Sequence, residues 1–180
     1  SFKTSGFTHA ASQQDDEFKS YSFLIADNNY FPTYEIDIKT GRNFTAAEAD
    51  VEWNNNSKVI INEKAVKTMG FESAQDALNK GIQWDERHLD IIGVTADYHH
   101  ISLHNPIDPM IFYPQSINAC YSVRLTSRDF SGKIDQIATA YQQAFPGNPF
   151  DYNFTDDTFA KAYAEEEQFG SLFTTASLLA

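Results

Sequence analysis

The spacing of hydrophobic and polar positions changes several times along this chain, and each change marks an element. Tyr21-Ser-Phe-Leu-Ile-Ala26 is a short apolar run that predicts a strand. Asp27 is placed to cap one helical turn, and Pro32 keeps that turn short. Glu35-Ile-Asp-Ile-Lys39 alternates with period two and predicts a half-buried strand closed by Thr40-Gly41-Arg42. Thr45 opens a short acidic helical piece, and Asn54-Asn55-Asn56 reads as a loop. Lys58-Val-Ile-Ile-Asn62 predicts another strand. Asn62 then caps a helix over 63–69, in which Ala65, Val66 and Met69 share a face and Gly70 supplies a positive-φ stop. Ser73 and Asp76 have the spacing of a capping box. Ile82 to Trp84 and Leu89 to Ala96 predict a hairpin that turns over 85–88, whereas residues 1–20 are polar and read as a loop or an irregular edge.

The last third has a different rhythm. Cys120-Tyr-Ser-Val-Arg-Leu125 alternates and predicts a strand. Ser131 precedes an amphipathic helix carrying Ile134, Ile137, Tyr141, Ala144 and Phe145, which Pro146-Gly147 stops. Phe150, Tyr152 and Phe154 alternate with polar residues as a strand would. A strand, a helix and a strand within about 35 residues predict a parallel crossover. Thr155 to Thr158 supply caps for a final helix with an apolar stripe of Phe159, Tyr163, Phe169, Leu172, Phe173 and Ala176. The uncharged end, Leu172 to Ala180, reads either as a buried helix or as the start of a longer apolar segment. The expected organisation is α+β. Residues 1–34 and 108–165 form a flanking lobe, 35–107 an inserted strand-rich lobe, and 166–180 the start of a terminal helix.

Charge narrows the partners. The net charge of −12 argues against nucleic acid, whose binding needs clustered Lys and Arg, and against an anionic membrane surface. One cysteine, Cys120, permits neither an internal disulfide nor a Cys-based zinc site.

Candidate chemistry concentrates in Asp90 to Tyr113, a strand at each end with a His-rich turn between. Asp97, His99, His100 and His104 are residue types that bind zinc or non-haem metals. Adjacent histidines in an extended chain point to opposite faces, so a shared ion requires a turn there. The competing reading makes His99 and His104 hydrogen-bonding residues of a structural turn. No Gly-x-Ser-x-Gly elbow, Gly-rich phosphate loop or EF-hand pattern occurs. The pairs Asp15-Asp16 and Asp156-Asp157 fit capping and solvation better than calcium. A domain without an enzyme's nucleophile or cofactor loop favours a binding or force-transmitting role.

The order of short motifs resembles a known family. Asp27-Asn-Asn-Tyr-Phe31 followed by Gly41-Arg-Asn-Phe44 resembles the opening motifs of the MacB-like periplasmic core domain of FtsX/MacB-class ABC transporter permeases. Val59-Ile-Ile-Asn-Glu-Lys-Ala65 with Met69-Gly70, and Ile91-Ile-Gly-Val-Thr-Ala-Asp-Tyr-His99, continue the likeness. Ser102-Leu-His-Asn-Pro-Ile-Asp-Pro109 is similar to a form found in Bacteroidetes permeases. Lys80-Gly81 departs from the family order.

The resemblance implies a βαβ-containing membrane-proximal lobe with a smaller inserted lobe, in the periplasmic part of a bacterial inner-membrane protein. It implies no catalysis and no cofactor. The permease would be a homodimer working with cytoplasmic ATP-binding subunits or domains, and with a periplasmic or outer-membrane protein partner. ATP-driven motion would pass to a periplasmic substrate, in efflux or in a lipoprotein or envelope process. Phe159 to Ala180 would lead into the second transmembrane helix, and the isolated domain is expected to be monomeric. Asp97, His99, Ser102, Leu103, His104, Pro106 and Pro109 would be family-motif residues of a structural inter-lobe turn. Two alternatives remain at this level: a metal-dependent hydrolase using Asp97, His99 and His104, and a free-standing periplasmic ligand-binding module with a large apolar pocket.

Overall fold

The structure, a computed structural model, describes residues 2–4, 7–8, 20–84, 87–100, 105–116, 121–126 and 129–155. The chain divides into two compact units. One comprises Ser1–His99 with Pro106–Val123, and the other His100–Asn105 with Arg124–Ala180.

The first unit is built on an eight-stranded mixed sheet. Its strands are β1 (Phe2–Thr4), β2 (Phe7–Thr8), β3 (Tyr21–Ala26), β4 (Ile38–Gly41), β5 (Lys58–Asn62), β6 (Ile82–Trp84), β7 (Arg87–Thr95) and β8 (Met110–Pro114). They lie in the order β1-β3-β8-β5-β7-β6-β2, with β4 also paired to β7. The pairs β3·β8 and β5·β7 are parallel, and β5·β8, β6·β7 and β4·β7 are antiparallel. Four short helices accompany the sheet: α1 (Tyr30–Thr33), α2 (Ala46–Ala49), α3 (Glu63–Met69) and α4 (Ala74–Lys80).

The expected α+β class is borne out, and most strands fall where the pattern places them. Of the two readings of residues 1–20, loop or irregular edge, residues 2–4 and 7–8 take the edge, as short strands paired to β3 and β6. Two expectations need correction. The strand expected from Glu35 starts only at Ile38, because Glu35 holds a φ of 54° and turns the chain. Residues 121–126 and 150–154 carry no strand, so the crossover expected there is absent. Tyr121, Val123 and Tyr152 are exposed there, and alternation without burial on one face does not make a strand. A parallel crossover does exist, but over 58–95, where α3 and α4 connect β5 to its parallel neighbour β7. Strands 21–26 and 110–114, expected in a flanking lobe, and 58–62 and 87–95, expected in an inserted one, are neighbours in one sheet.

The sheet is apolar on both faces, and period-two alternation sorts its side chains. Val59, Ile61, Ile111, Tyr113 and Phe23 join one core, completed by Ala65, Val66 and Met69 of α3 and Ala77 of α4. Ile60, Met110 and Phe112 join the other, with Phe31 and Phe44. All five residues of β8 are therefore buried, as expected of a strand covered on both sides. In β7 the register against β5 slips, so that Val59 faces Ile91 but Ile60 faces Gly93. This bulge lets Leu89, Ile91 and Val94 enter one core while Ile92 turns to the other.

In the second unit, α5 (Phe130–Ala144) starts at Asp129, whose carboxylate accepts from the Gly132 amide at 3.0 Å. The helix thus begins one residue before Ser131, which the sequence pattern places ahead of it. The Tyr141 ring centroid lies 5.1 Å from that of Phe145 and 5.6 Å from that of Phe150, which in turn lies 5.7 Å from that of Tyr152. Residues 156–180, with the expected final helix and all of its expected caps but Thr155, lie outside the described residues, as does Cys120. Among the described residues no helix is long and apolar enough to cross a membrane.

Candidate functional site

The chemistry-bearing residues of the first unit meet at the N-terminus of α3. Asn62 ends β5 and caps the helix, because a β-region residue with a short carbonyl side chain can accept from an amide of the first turn. Its Oδ1 accepts from the Ala65 amide at 2.9 Å and also from the Met110 amide at 2.8 Å. Its Nδ2 donates to the Asp108 carbonyl at 2.9 Å. One wholly buried amide side chain therefore joins a helix start, a strand start and the loop before that strand.

The two stems of the His-rich turn are fixed around this point. On the outgoing side, the Ala96 amide donates to the Asp37 carbonyl at 2.9 Å. Asp97 Oδ1 accepts from the Lys64 amide at 2.7 Å, satisfying a second first-turn donor of α3. The Tyr98 hydroxyl meets that of Tyr30 at 2.9 Å, and its ring stacks on Phe112 at 6.3 Å. Burial raises both phenols above their ordinary pKa, so this pair stays neutral and hydrogen-bonded. On the returning side, Ser22 Oγ donates to Asp108 Oδ2 at 2.9 Å, and the Ser22 amide donates to the Pro109 carbonyl at 2.9 Å.

The remaining family motifs interlock beside this point. Asn43 Nδ2 donates to the Asn28 carbonyl at 2.8 Å, and the rings of Phe31 and Phe44 lie 6.1 Å apart. Arg42 grips Glu48 with two bonds, at 2.8 and 2.9 Å, and Lys58 reaches the same carboxylate. The Arg42 guanidinium above all, then Lys58 and the Thr45 amide, holds the Glu48 carboxyl far below the usual range against the cost of its burial. Thr45 and Glu48 complete a capping box on α2.

Of the residues singled out in the turn, Asp97 is committed to the α3 amide, Pro109 bonds through its carbonyl, His99 is half-buried and Pro106 is exposed. Ser102, Leu103 and His104 lie outside the described residues. Among the described residues no three His, Cys, Asp or Glu side chains gather to hold a metal ion.

Sequence reasoning missed a second polar knot on the opposite core. The Tyr113 hydroxyl accepts from Arg87 at 2.8 Å and bonds to the Asn56 carbonyl at 2.8 Å and to that of Trp53. The Arg87 guanidinium lies 5.9 Å from the Trp84 ring centroid and 5.8 Å from that of Tyr113. Tyr113 stands 26 to 60 positions from the residues its hydroxyl bonds to, so no local pattern announces the knot. Asp108 and Tyr30 were likewise legible only as a turn residue and an aromatic.

Comparison with known proteins gives the arrangement its context. The family model described as the MacB-like periplasmic core domain matches residues 3–160. No curated protein matches the chain by sequence. The periplasmic region of MacB from Actinobacillus actinomycetemcomitans is 16% identical, with a TM-score of 0.51, over 79% of this chain and 64% of that one. A domain described as part of a permease protein from Porphyromonas gingivalis is 19% identical, with a TM-score of 0.49, over 79% and 62%. The extracellular domain of the noncanonic ABC-type transporter YknZ from Gram-positive bacteria is 15% identical, with a TM-score of 0.41, over 62% and 52%. The chain thus spans less than two thirds of the solved structures it is similar to. The match over most of its length, on a mixed α+β fold like that of the MacB periplasmic region, shows that the chain belongs to the MacB-like periplasmic core domain family, the periplasmic domains of MacB/FtsX-like ABC transporter permeases.

Proposed function

We propose that this domain relays motion as the periplasmic part of a permease homodimer. In this reading cytoplasmic domains or subunits bind and hydrolyse ATP, the dimer moves, and the periplasmic domains deliver the motion to a substrate or an envelope partner. The process served would be efflux or the handling of a lipoprotein or envelope component. The domain itself performs no chemistry.

The observation that carries this reading is that Asp97 and Asn62, described residues of the family motifs, are spent on holding backbone groups. Asp97 accepts from a backbone amide, and Asn62 bonds through both of its polar side-chain atoms. A catalytic centre instead keeps its acids and bases directed into a cavity where a reacting atom can sit. Support also comes from the sheet, packed on both faces, since a close-packed interior passes on displacement rather than absorbing it.

The test places one spin label on each protomer of the full-length permease, at Asn79→Cys on the exposed end of α4, with Cys120→Ser. The distance between labels is measured in the dimer with and without ATP. A nucleotide-dependent change in the distance distribution is the expected result. An unchanged distribution in a permease that still hydrolyses ATP overturns the relay.

A further inference from the structure

We propose that the N-terminus of α3 is a two-ended clasp that makes both stems of the β7–β8 excursion open and close together. The inference rests on the bonding geometry and not on the relay role, so either can fail alone.

Both stems border β5 in the sheet, and each has a second neighbour of its own. The outgoing stem leaves β7, which is paired to β5 and β4, and the returning stem enters β8, which is paired to β3 and β5. Pairing to β5 ends at Thr95 on the outgoing side and at Ile111 on the returning side, so beyond those residues it leaves either stem able to fray without the other. The clasp adds a shared element. The outgoing stem is held through Asp97 to the Lys64 amide, and the returning stem through Asn62 to the Met110 amide and the Asp108 carbonyl. Lys64 and Ala65 are consecutive amides of one helical turn, and Ala65 shares the Asn62 acceptor with Met110.

Two donors of the first turn of α3 are therefore filled, one from the outgoing stem and one from the residue that grips the returning stem. Loss of Asp97 leaves the Lys64 amide without its carboxylate and lets the first turn shift. That shift moves the acceptor on which Met110 depends. Residues in one hydrogen-bond network couple energetically, whereas distant independent sites do not. The rest of the returning stem follows through Ser22, which bonds to Asp108 Oδ2 and to the Pro109 carbonyl.

Amide hydrogen exchange on this chain tests the clasp residue by residue. Asp97→Ala is expected to speed exchange at Lys64 and Ala65 about tenfold, and at Met110 and Ser22 about threefold or more. Asp108→Ala, which removes the carboxylate that accepts from Ser22 Oγ on the returning stem, is expected to speed Lys64 by a comparable factor. Ser73→Ala removes the cap of the neighbouring helix α4 and controls for general loosening, and is expected to leave all four amides unchanged. Acceleration confined to the stem that carries the substitution overturns the clasp. So does the same pattern from Ser73→Ala.

Discussion

Replacing Asn62 by Ala tests how much of the fold hangs on one side chain. The substitution removes an acceptor shared by the Ala65 and Met110 amides and a donor to the Asp108 carbonyl. Loss of a helix N-cap costs about 1 kcal/mol. Each further buried group left unpaired costs about 1–3 kcal/mol, less where water can enter. With Asn62 wholly buried, a loss of about 3–4 kcal/mol is expected. That is a large share of the roughly 5–15 kcal/mol that stabilises a typical domain. At about 2–4 °C per kcal/mol for a chain of this size, Tm falls by roughly 10 °C. Asn62→Ser separates the contributions, because a serine hydroxyl can still cap Ala65 but is too short to hold Met110 and Asp108. About half the loss is expected for it. Urea and thermal unfolding followed by circular dichroism measure both. A loss below about 1 kcal/mol for Asn62→Ala would refute the view that this residue fastens three segments.

Other perturbations probe other parts of the frame. Gly93→Ala puts a Cβ 2.5 Å from the Arg42 carbonyl oxygen and 3.3 Å from Ile60 Cγ1, so β4 must move away; a loss of about 2–3 kcal/mol in urea unfolding is expected. Tyr113→Phe removes the hydroxyl that takes the Arg87 proton donor and bonds to Asn56, and is expected to cost about 1–2 kcal/mol by the same assay. Glu48 has a depressed folded-state pKa, so its contribution is fully present above the ordinary glutamate range and is lost as pH falls below it. Its partners are partly exposed, and solvent screening limits the effect to about 1 kcal/mol. Glu48→Gln should accordingly lower stability at pH 7 and flatten its decline between about pH 5 and 2, measured by unfolding across that range.

What the sequence made legible was local. Asn62, Thr45 and Ser73 were readable as caps, and Gly70 as a helix stop, because each acts within four residues. The strands 21–26, 58–62 and 82–84 were readable from apolar runs. The β7 bulge was not, since Leu89, Ile91 and Val94 share a core only after one residue is inserted against β5. A strict period of two places Val94 on the wrong face. Glu35 looked like a strand residue because its alternation is right, while its positive φ is imposed by the Tyr30–Tyr34 turn before it. The second roles of Asn62 and Asp97 were also hidden. A cap is a local event, but a cap that also holds Met110, or a carboxylate 33 residues from the amide it serves, depends on topology. The metal reading of Asp97 arose from residue type alone, whereas in the structure its carboxylate accepts from the Lys64 amide.

The most direct test of the central claim, that the family-motif turn is a structural joint and not a reactive site, is metal content. Protein purified without a His tag would be analysed by inductively coupled plasma mass spectrometry, alongside an Asp97→Ala, His99→Ala double variant. The account predicts no stoichiometric zinc or iron in either protein, and a variant that folds but melts several degrees lower through loss of the Lys64 contact. Stoichiometric metal in the parent that disappears in the variant would contradict it.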